Sequence, residues 1–269
     1  MESDLLLARR SALAGATIGL RYFAALAELP LELKSDGSVV TEADRAVEAT
    51  IRGVLAEACP DDAVLGEEAG ATGAGSRRWI IDPIDGTAMF VAGDDRWLVL
   101  VALEEEGEIV VGVAVVPAQG RIWWAERGGG AFTADVAGDG VAHARPITVA
   151  GRAQDALVRS RLGVIPTDDQ LFPAEREMIK ALSAQTVPTP WRTHAALLVA
   201  EGRLDLAVQT RGQVWDFAAT SIIVEEAGGC FSGLDGQRHP RPGPALFAGS
   251  AVTHAAALQT FARPDRPLT

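Results

Sequence analysis

The sequence predicts a mixed α+β and α/β protein in which sheets carry packed helices. Three observations support that prediction. A long Ala/Leu-rich stretch opens the chain without a proline before Pro30, as an amphipathic helix requires. The middle holds apolar runs broken by glycine turns, the pattern of antiparallel strands. The second half alternates short apolar runs with helical periods, which implies a sheet with helices packed on it. With 269 residues, 48% of them hydrophobic, the chain can bury a core large enough for one large or two medium domains. We place the division near residue 150, giving domains 1–150 and 151–269.

Leu5–Leu29 is the first helix, Leu31–Lys34 alternates as a strand, and Ser35–Ser38 is a turn. Thr41 then stands as an N-cap with Asp44 three residues on, the spacing of a capping box with Asp where Glu or Gln is usual. The helix it opens, Glu42–Ala58, stops before Pro60. Ala63–Leu65 is a short strand ending at Gly66-Glu67-Glu68. Trp79–Ile81 is a buried strand that Pro83 should end, since proline brings no N–H to a ladder. Trp97–Leu103 and Glu108–Val116 form a hairpin around Glu104–Gly107, and Ile122–Ala125 adds a third strand. Gly128-Gly129-Gly130 lacks the Lys-Ser/Thr of a phosphate loop and reads as a turn. Ala134–Arg145 looks like a loose loop, and Ile147–Val149 closes the first half. Beyond it, Ala156–Val158, Leu204–Val208, Cys230-Phe231 and Ala245–Gly249 read as strands. Phe172–Leu182, Thr193–Gly202, Val214–Gly228 and Val252–Phe261 read as helices, and Ala262–Thr269 as a frayed tail.

Net charge is −12 with no Lys/Arg-rich run, which argues against nucleic acid as a partner. The longest apolar runs, near 98–103 and 109–117, are too short to span a bilayer. The acidic start Met1-Glu2-Ser3-Asp4 does not fit a signal peptide. Cys59 and Cys230 give neither a disulfide framework nor a zinc spacing, and reduced thiols in a cytoplasmic protein are expected. An acidic protein that handles an anion needs a local positive charge, which a metal ion can supply.

The chemistry centres on Trp79–Val91. Asp82 and Asp85 flank a proline turn, Gly86 permits a sharp bend, and Thr87 suits the opening of a helical turn. Two carboxylates followed by free backbone N–H groups suit a divalent cation beside a phosphate. Asp, Pro and Gly are also common in surface turns, so this stretch alone leaves both readings open. Glu67-Glu68 likewise follows a strand. Trp215-Asp216 places another acid at a helix start, beside a large ring where a charge is rarely left unpaired. An acid there also serves as a cap favoured by the helix dipole.

Together these stretches resemble the inositol monophosphatase family of Mg²⁺-dependent phosphatases. The resemblance rests on Val40-Thr41-Glu42-Ala43-Asp44, Gly66-Glu67-Glu68, Asp82-Pro83-Ile84-Asp85-Gly86-Thr87, and Trp215-Asp216 through Glu226-Ala227-Gly228-Gly229. It covers nearly the whole chain in the family's order and spacing, and Trp123–Phe132 looks most like the bacterial histidinol-phosphate phosphatase branch. The resemblance implies a layered sandwich of alternating helix and sheet layers, a homodimer, and a phosphomonoesterase with about two or three Mg²⁺ per site. It implies that Glu67, Asp82 and the Ile84 carbonyl bind the first Mg²⁺, and that Asp82, Asp85 and Asp216 bind the second. Thr87 and Asp44 would form the dyad that orients the attacking water, and the N–H groups of Gly86 and Thr87 would hold the phosphate. For Asp44 the plainer alternative is a cap bond to Thr41.

The substrate-reading stretch departs from the family. Pro190-Trp191-Arg192-Thr193-His194 stands where inositol-type members carry Gly-Ser/Thr-Ala, and Gln209 takes the place of a Glu that binds substrate hydroxyls. The histidinol-phosphate branch puts an acid near Arg192 and Lys-Asn after Asp-Gly-Thr, where this chain has Ala88-Met89. A base in place of an acid points to a neutral or anionic substrate body, such as a carboxylated sugar or nucleoside phosphate, read by Arg192, His194 and Gln209. Pairing of Arg192 with a nearby acid is an equal alternative, and Asp94-Asp95-Arg96 is a second candidate contact. The expected function is hydrolysis of a sugar, cyclitol or nucleoside monophosphate, with histidinol phosphate or inositol 1-phosphate as alternatives. A noncatalytic metal- or phosphate-binding family member is the reading from another class. It predicts a lost ligand or dyad residue, and none of the six acids and hydroxyls is missing.

Overall fold

The computed structural model describes residues 2–28, 31–33, 39–149 and 157–262. The chain divides into two compact units, one formed by Met1–Pro146 with Ala218–Ile223, the other by Ile147–Phe217 with Val224–Thr269.

The first unit opens with α1 (Asp4–Ala24), capped by the Ser3 side chain, which accepts the Leu6 N–H. The helix predicted to reach Leu29 ends sooner and passes into a 3-10 turn at Leu26–Glu28. β1 (Leu31–Leu33) and β2 (Val39–Thr41) pair antiparallel; the predicted turn at 35–38, and Lys34, lie outside the described residues. α2 (Glu42–Ala58) starts where predicted, with the reciprocal Thr41–Asp44 capping box formed. Its buried stripe is Ala43, Asp44, Val47, Glu48, Ile51 and Leu55, the three- and four-residue spacing of one helix face.

An eight-stranded sheet follows, built from β3 (Ala63–Gly66), β4 (Gly70–Thr72), β5 (Arg77–Asp85), β6 (Leu98–Glu105), β7 (Glu108–Val116), β8 (Arg121–Glu126), β9 (Gly130–Ala137) and β10 (Gly140–Ile147). The order is β10-β9-β8-β7-β6-β5-β3-β4, and α3 (Thr87–Val91) lies between β5 and β6 in the chain. Three predictions need correcting here. Pro83 does not end its strand: β5 runs on to Asp85 through a break in its register with β6 between Asp82 and Asp85. A proline is tolerated at such a bulge because no ladder bond is required of it. The segment 134–145, predicted as a loop, lies in β9 and β10. β10 is an edge strand with little buried apolar surface, so its sequence carries no strand alternation. Trp97 stands just before β6 rather than in it.

One face of this sheet is covered by α1 and α2, with Val47, Ile51 and Leu55 in a common core with Trp79, Ile81, Val101 and Val113. On the other face, a Cβ added to Gly112 of β7 would stand 2.7 Å from the Ala219 carbonyl oxygen and 2.4 Å from Ile222 Cγ2. The helical segment Ala218–Ile223 therefore packs backbone to backbone on β7.

The second unit holds a five-stranded sheet of β11 (Arg161–Ile165), β12 (Val187–Pro188), β13 (Leu206–Gln209), β14 (Cys230–Gly233) and β15 (Ala245–Ala248), in the order β12-β11-β13-β15-β14. Its helices are α4 (Pro173–Ser183), α5 (Ala195–Ala200), α6 (Val214–Glu226) and α7 (Ala251–Phe261). Leu162, Leu206, Val208 and Leu246 join Ile179, Leu182 and Ala257 of α4 and α7 in one core. Gly163, on the opposite face by the strand alternation, meets α5, where an added Cβ would stand 2.7 Å from that of Ala195. Each of the two larger sheets thus has helices on both faces, the layered α+β arrangement expected. The strand predicted at 156–158 is instead a 3-10 turn at Leu157–Arg159, with Ala156 outside the described residues. The strand itself begins at Arg161, whose alternation with Gly163 hid the apolar pattern. Among the described residues, no helix is long and apolar enough to cross a membrane.

Candidate active site

β3 and β5 run parallel with Gly66 opposite Ile81. Glu67 and Asp82 therefore follow the last paired positions side by side, and the Glu67 N–H donates to the Ile81 carbonyl at 3.2 Å. Asp82 is 2% exposed, while Asp85 is half-buried. Each offers a carboxylate oxygen, and these oxygens lie within 4.8 Å of each other. Two carboxylates so close repel unless a cation or proton lies between them. An all-oxygen donor set is hard and suits Mg²⁺ rather than zinc or copper. The Ile84 carbonyl, beside the two aspartates in the bulge, lies 3.1 Å from the Thr87 hydroxyl oxygen.

Gly86 has φ 84°, the left-handed conformation that glycine adopts without steric cost. It turns the chain into α3, whose Met89 and Phe90 N–H groups close onto the Gly86 carbonyl at 2.8 and 3.0 Å. The first N–H groups of this turn belong to Gly86 and Thr87.

Asp44 is fully buried. Its Oδ2 accepts the Thr41 N–H at 2.8 Å and the Thr41 hydroxyl at 2.7 Å, while Oδ1 accepts the Thr87 hydroxyl at 3.2 Å. The cap bond and the contact with Thr87 were alternatives in sequence; the one side chain makes both, one oxygen to each. Burial pushes the Asp44 carboxyl above the usual range, and the hydrogen bonds from Thr41 and Thr87 oppose that shift. Glu48, which no motif in the sequence marks, is 1% exposed. Its signal was an acid four residues after Asp44, inside the apolar stripe of α2.

In the second unit, the Trp191 indole donates to the Val164 carbonyl at 2.8 Å, and Arg192 is exposed on the bend that follows. His194 is 2% exposed, its ring centroid 6.2 Å from that of Trp191. Burial lowers its pKa to about 4, so the ring is neutral at pH 7. Gln209 is buried at the end of β13, opposite Ile165 and Ala245, and its Oε1 accepts no hydrogen bond among the described residues. Asp216, half-buried like Trp215, lies in the first turn of α6, where its Oδ2 accepts the Gln213 N–H at 2.7 Å. The other candidate, Arg96 in the first unit, closes on Asp94 through Nε and Nη2 at 2.8 and 2.6 Å.

The profile of the inositol monophosphatase family matches residues 3–264. A histidinol-phosphatase of Streptomyces coelicolor is 41% identical over 251 residues, covering 90% of this chain and 89% of the relative. A histidinol-phosphatase of Mycobacterium tuberculosis is 41% identical over 226 residues, covering 81% and 83%. Among solved structures, an inositol monophosphatase from Zymomonas mobilis superposes with a TM-score of 0.78 at 28% identity, covering 96% of this chain and 97% of that one.

Proposed function

This chain belongs to the inositol monophosphatase family and is a phosphoric monoester hydrolase, and we propose that the residues gathered around β5 perform that hydrolysis with Mg²⁺. The observation that carries the reading is the Asp82–Asp85 pair, within 4.8 Å, on the same turn as the Thr87 hydroxyl that Asp44 holds. Glu67, Asp82 and the Ile84 carbonyl would hold one ion; Asp82, Asp85 and Asp216 would hold a second. Bound there, Mg²⁺ supplies Lewis acidity to phosphate oxygens and lowers the pKa of a coordinated water. Asp44 receives the proton released in the attack, relayed by the Thr87 hydroxyl that donates to it. Thr87 Oγ in turn accepts from the attacking water and fixes its direction, and the Gly86 and Thr87 N–H groups donate to the phosphate.

For the alcohol we propose a small neutral or anionic body. The exposed Arg192 guanidinium supports this, and Gln209 offers a buried amide oxygen to a substrate hydroxyl. His194, shut off from solvent, serves to hold the bend that carries Arg192. A second reading, histidinol phosphate, is favoured by the names of the two relatives at 41% identity. Phosphate release from sugar, cyclitol and nucleoside monophosphates, beside histidinol phosphate, tests both. EDTA-treated protein should be inactive and recover with Mg²⁺, and a carboxylated body should give the highest kcat/KM. Turnover undiminished after thorough chelation would overturn the metal assignment, and histidinol phosphate as best substrate would select the second reading.

We further propose a cytoplasmic homodimer. Free Cys59 and Cys230 suit a reducing compartment, and Val158, Phe172 and Val187 offer exposed apolar surface for self-association. A monomer in sedimentation equilibrium at micromolar concentration would refute the dimer.

A further inference from the structure

Glu48 is a carboxylate inside the apolar stripe of α2, 1% exposed, a position that a leucine could fill with less desolvation. Both of its oxygens accept hydrogen bonds. Oε2 accepts the Glu68 N–H at 2.7 Å, and Oε1 accepts the Ala69 N–H at 3.1 Å and Arg52 Nε at 2.7 Å. Arg52 reaches further along the same turn, donating from Nη1 to the Thr72 hydroxyl at 2.9 Å and from Nη2 to the Gly70 carbonyl. The carboxylate also lies directly over Gly66, where an added Cβ would stand 2.2 Å from Oε1. Residue 67 is thus bracketed: Gly66 lies under the carboxylate, the two following amides are tied to it, and the Glu67 N–H is tied to Ile81. Among the contacts described, this network grips the backbone on both sides of Glu67 and leaves its side chain to other partners. With three N–H donors already on it, Glu48 itself is a poor candidate for a metal ligand.

We infer that Glu48 and Arg52 are positioning residues for the first metal site, fixing the turn that presents Glu67; the inference rests on the ligand role proposed for Glu67. Groups that orient a ligand from behind typically set metal affinity by about ten- to a hundredfold, because a ligand on a loose turn loses entropy on binding.

The test is Mn²⁺ binding to the full-length metal-free chain, followed by electron paramagnetic resonance, with Mg²⁺-activated phosphate release alongside. Glu48→Gln keeps the volume and removes the charge. It should weaken the tighter Mn²⁺ site about tenfold and raise the Mg²⁺ needed for half-maximal rate by a similar factor, with kcat at saturating Mg²⁺ within about twofold. Arg52→Met, which keeps Glu48, should weaken Mn²⁺ about threefold by the same mechanism. Glu67→Gln should cost at least as much as Glu48→Gln, and the double variant should bind Mn²⁺ no worse than Glu67→Gln alone, since one residue acts through the other. A purely structural pair would lower thermal stability and leave Mn²⁺ affinity of the folded protein unchanged. That result in either variant, or additive losses in the double variant, would overturn the inference. Should Glu48→Gln fail to fold, Arg52→Met decides. Wild-type affinity in Glu67→Gln would instead refute the ligand role of Glu67, and the inference with it.

Discussion

Two turns carry the proposed chemistry, and they are built in opposite ways. Asp82–Thr87 is set by backbone: a bulge in β5, a positive-φ glycine, and a buried aspartate from α2 that holds the Thr87 hydroxyl. Pro190–His194 is set by two buried rings, Trp191 and His194, between which Arg192 stands exposed. In the first, moving any acid means rebuilding a strand end. In the second, the exposed side chain can change while the anchors keep the bend. The proposed chemistry is thus written where substitution is costly, and the proposed substrate choice where it is cheap.

The largest effect should come from the first turn. Asp85→Asn keeps the volume but removes a charge from the proposed second ion, so kcat should fall by about a hundred- to a thousandfold with the melting temperature little changed. Near-normal turnover at saturating Mg²⁺ would erase the contrast between the turns. Arg192→Ala should have an intermediate and selective effect. It should raise KM for an anionic substrate and cost about ten- to a hundredfold in kcat/KM, the equivalent of one charge-assisted hydrogen bond. A neutral substrate should lose less; an unchanged ratio between the two substrates would make Arg192 structural.

The smallest effect on turnover should come from His194, which is proposed to anchor the bend. Its folded pKa of about 4 lies below the ordinary 6.5, so between those values the unfolded chain binds a proton that the folded chain does not. Stability should therefore fall as pH drops from 6.5 toward 4, by roughly 3 kcal/mol in all. His194→Gln should flatten that slope in urea unfolding, and an identical slope in both proteins would show that other groups account for it.

Much of this was legible in the sequence because it depends on local spacing. The Thr41–Asp44 box, the Gly66-Glu67 strand end and the Asp82–Thr87 turn each lie within a few residues, and each forms. What escaped depended on distant partners. Pro83 looks like a stop until the bulge frees it from the ladder. β10 lacks apolar alternation because it pairs at an edge, and Gly163 broke the pattern of β11 because α5 leaves room for no side chain there. Glu48 gave no sign of its role because two of its partners, Glu68 and Ala69, lie 20 and 21 residues away, and only folding reveals why an acid occupies the apolar stripe.

The double duty of Asp44 has a consequence for how the protein responds to heat. One carboxylate both closes the first turn of α2 and holds the Thr87 hydroxyl, so fraying of that helix end and loss of the dyad are one event. On the proposed mechanism, the fraction of molecules able to turn over at any instant is then bounded by the fraction whose helix end is shut. Helix ends open at a lower free energy than the whole fold. Warming should therefore silence the protein while its sheets are still intact, and exchange of the Thr41 and Ala43 amides should rise in step with the loss of rate.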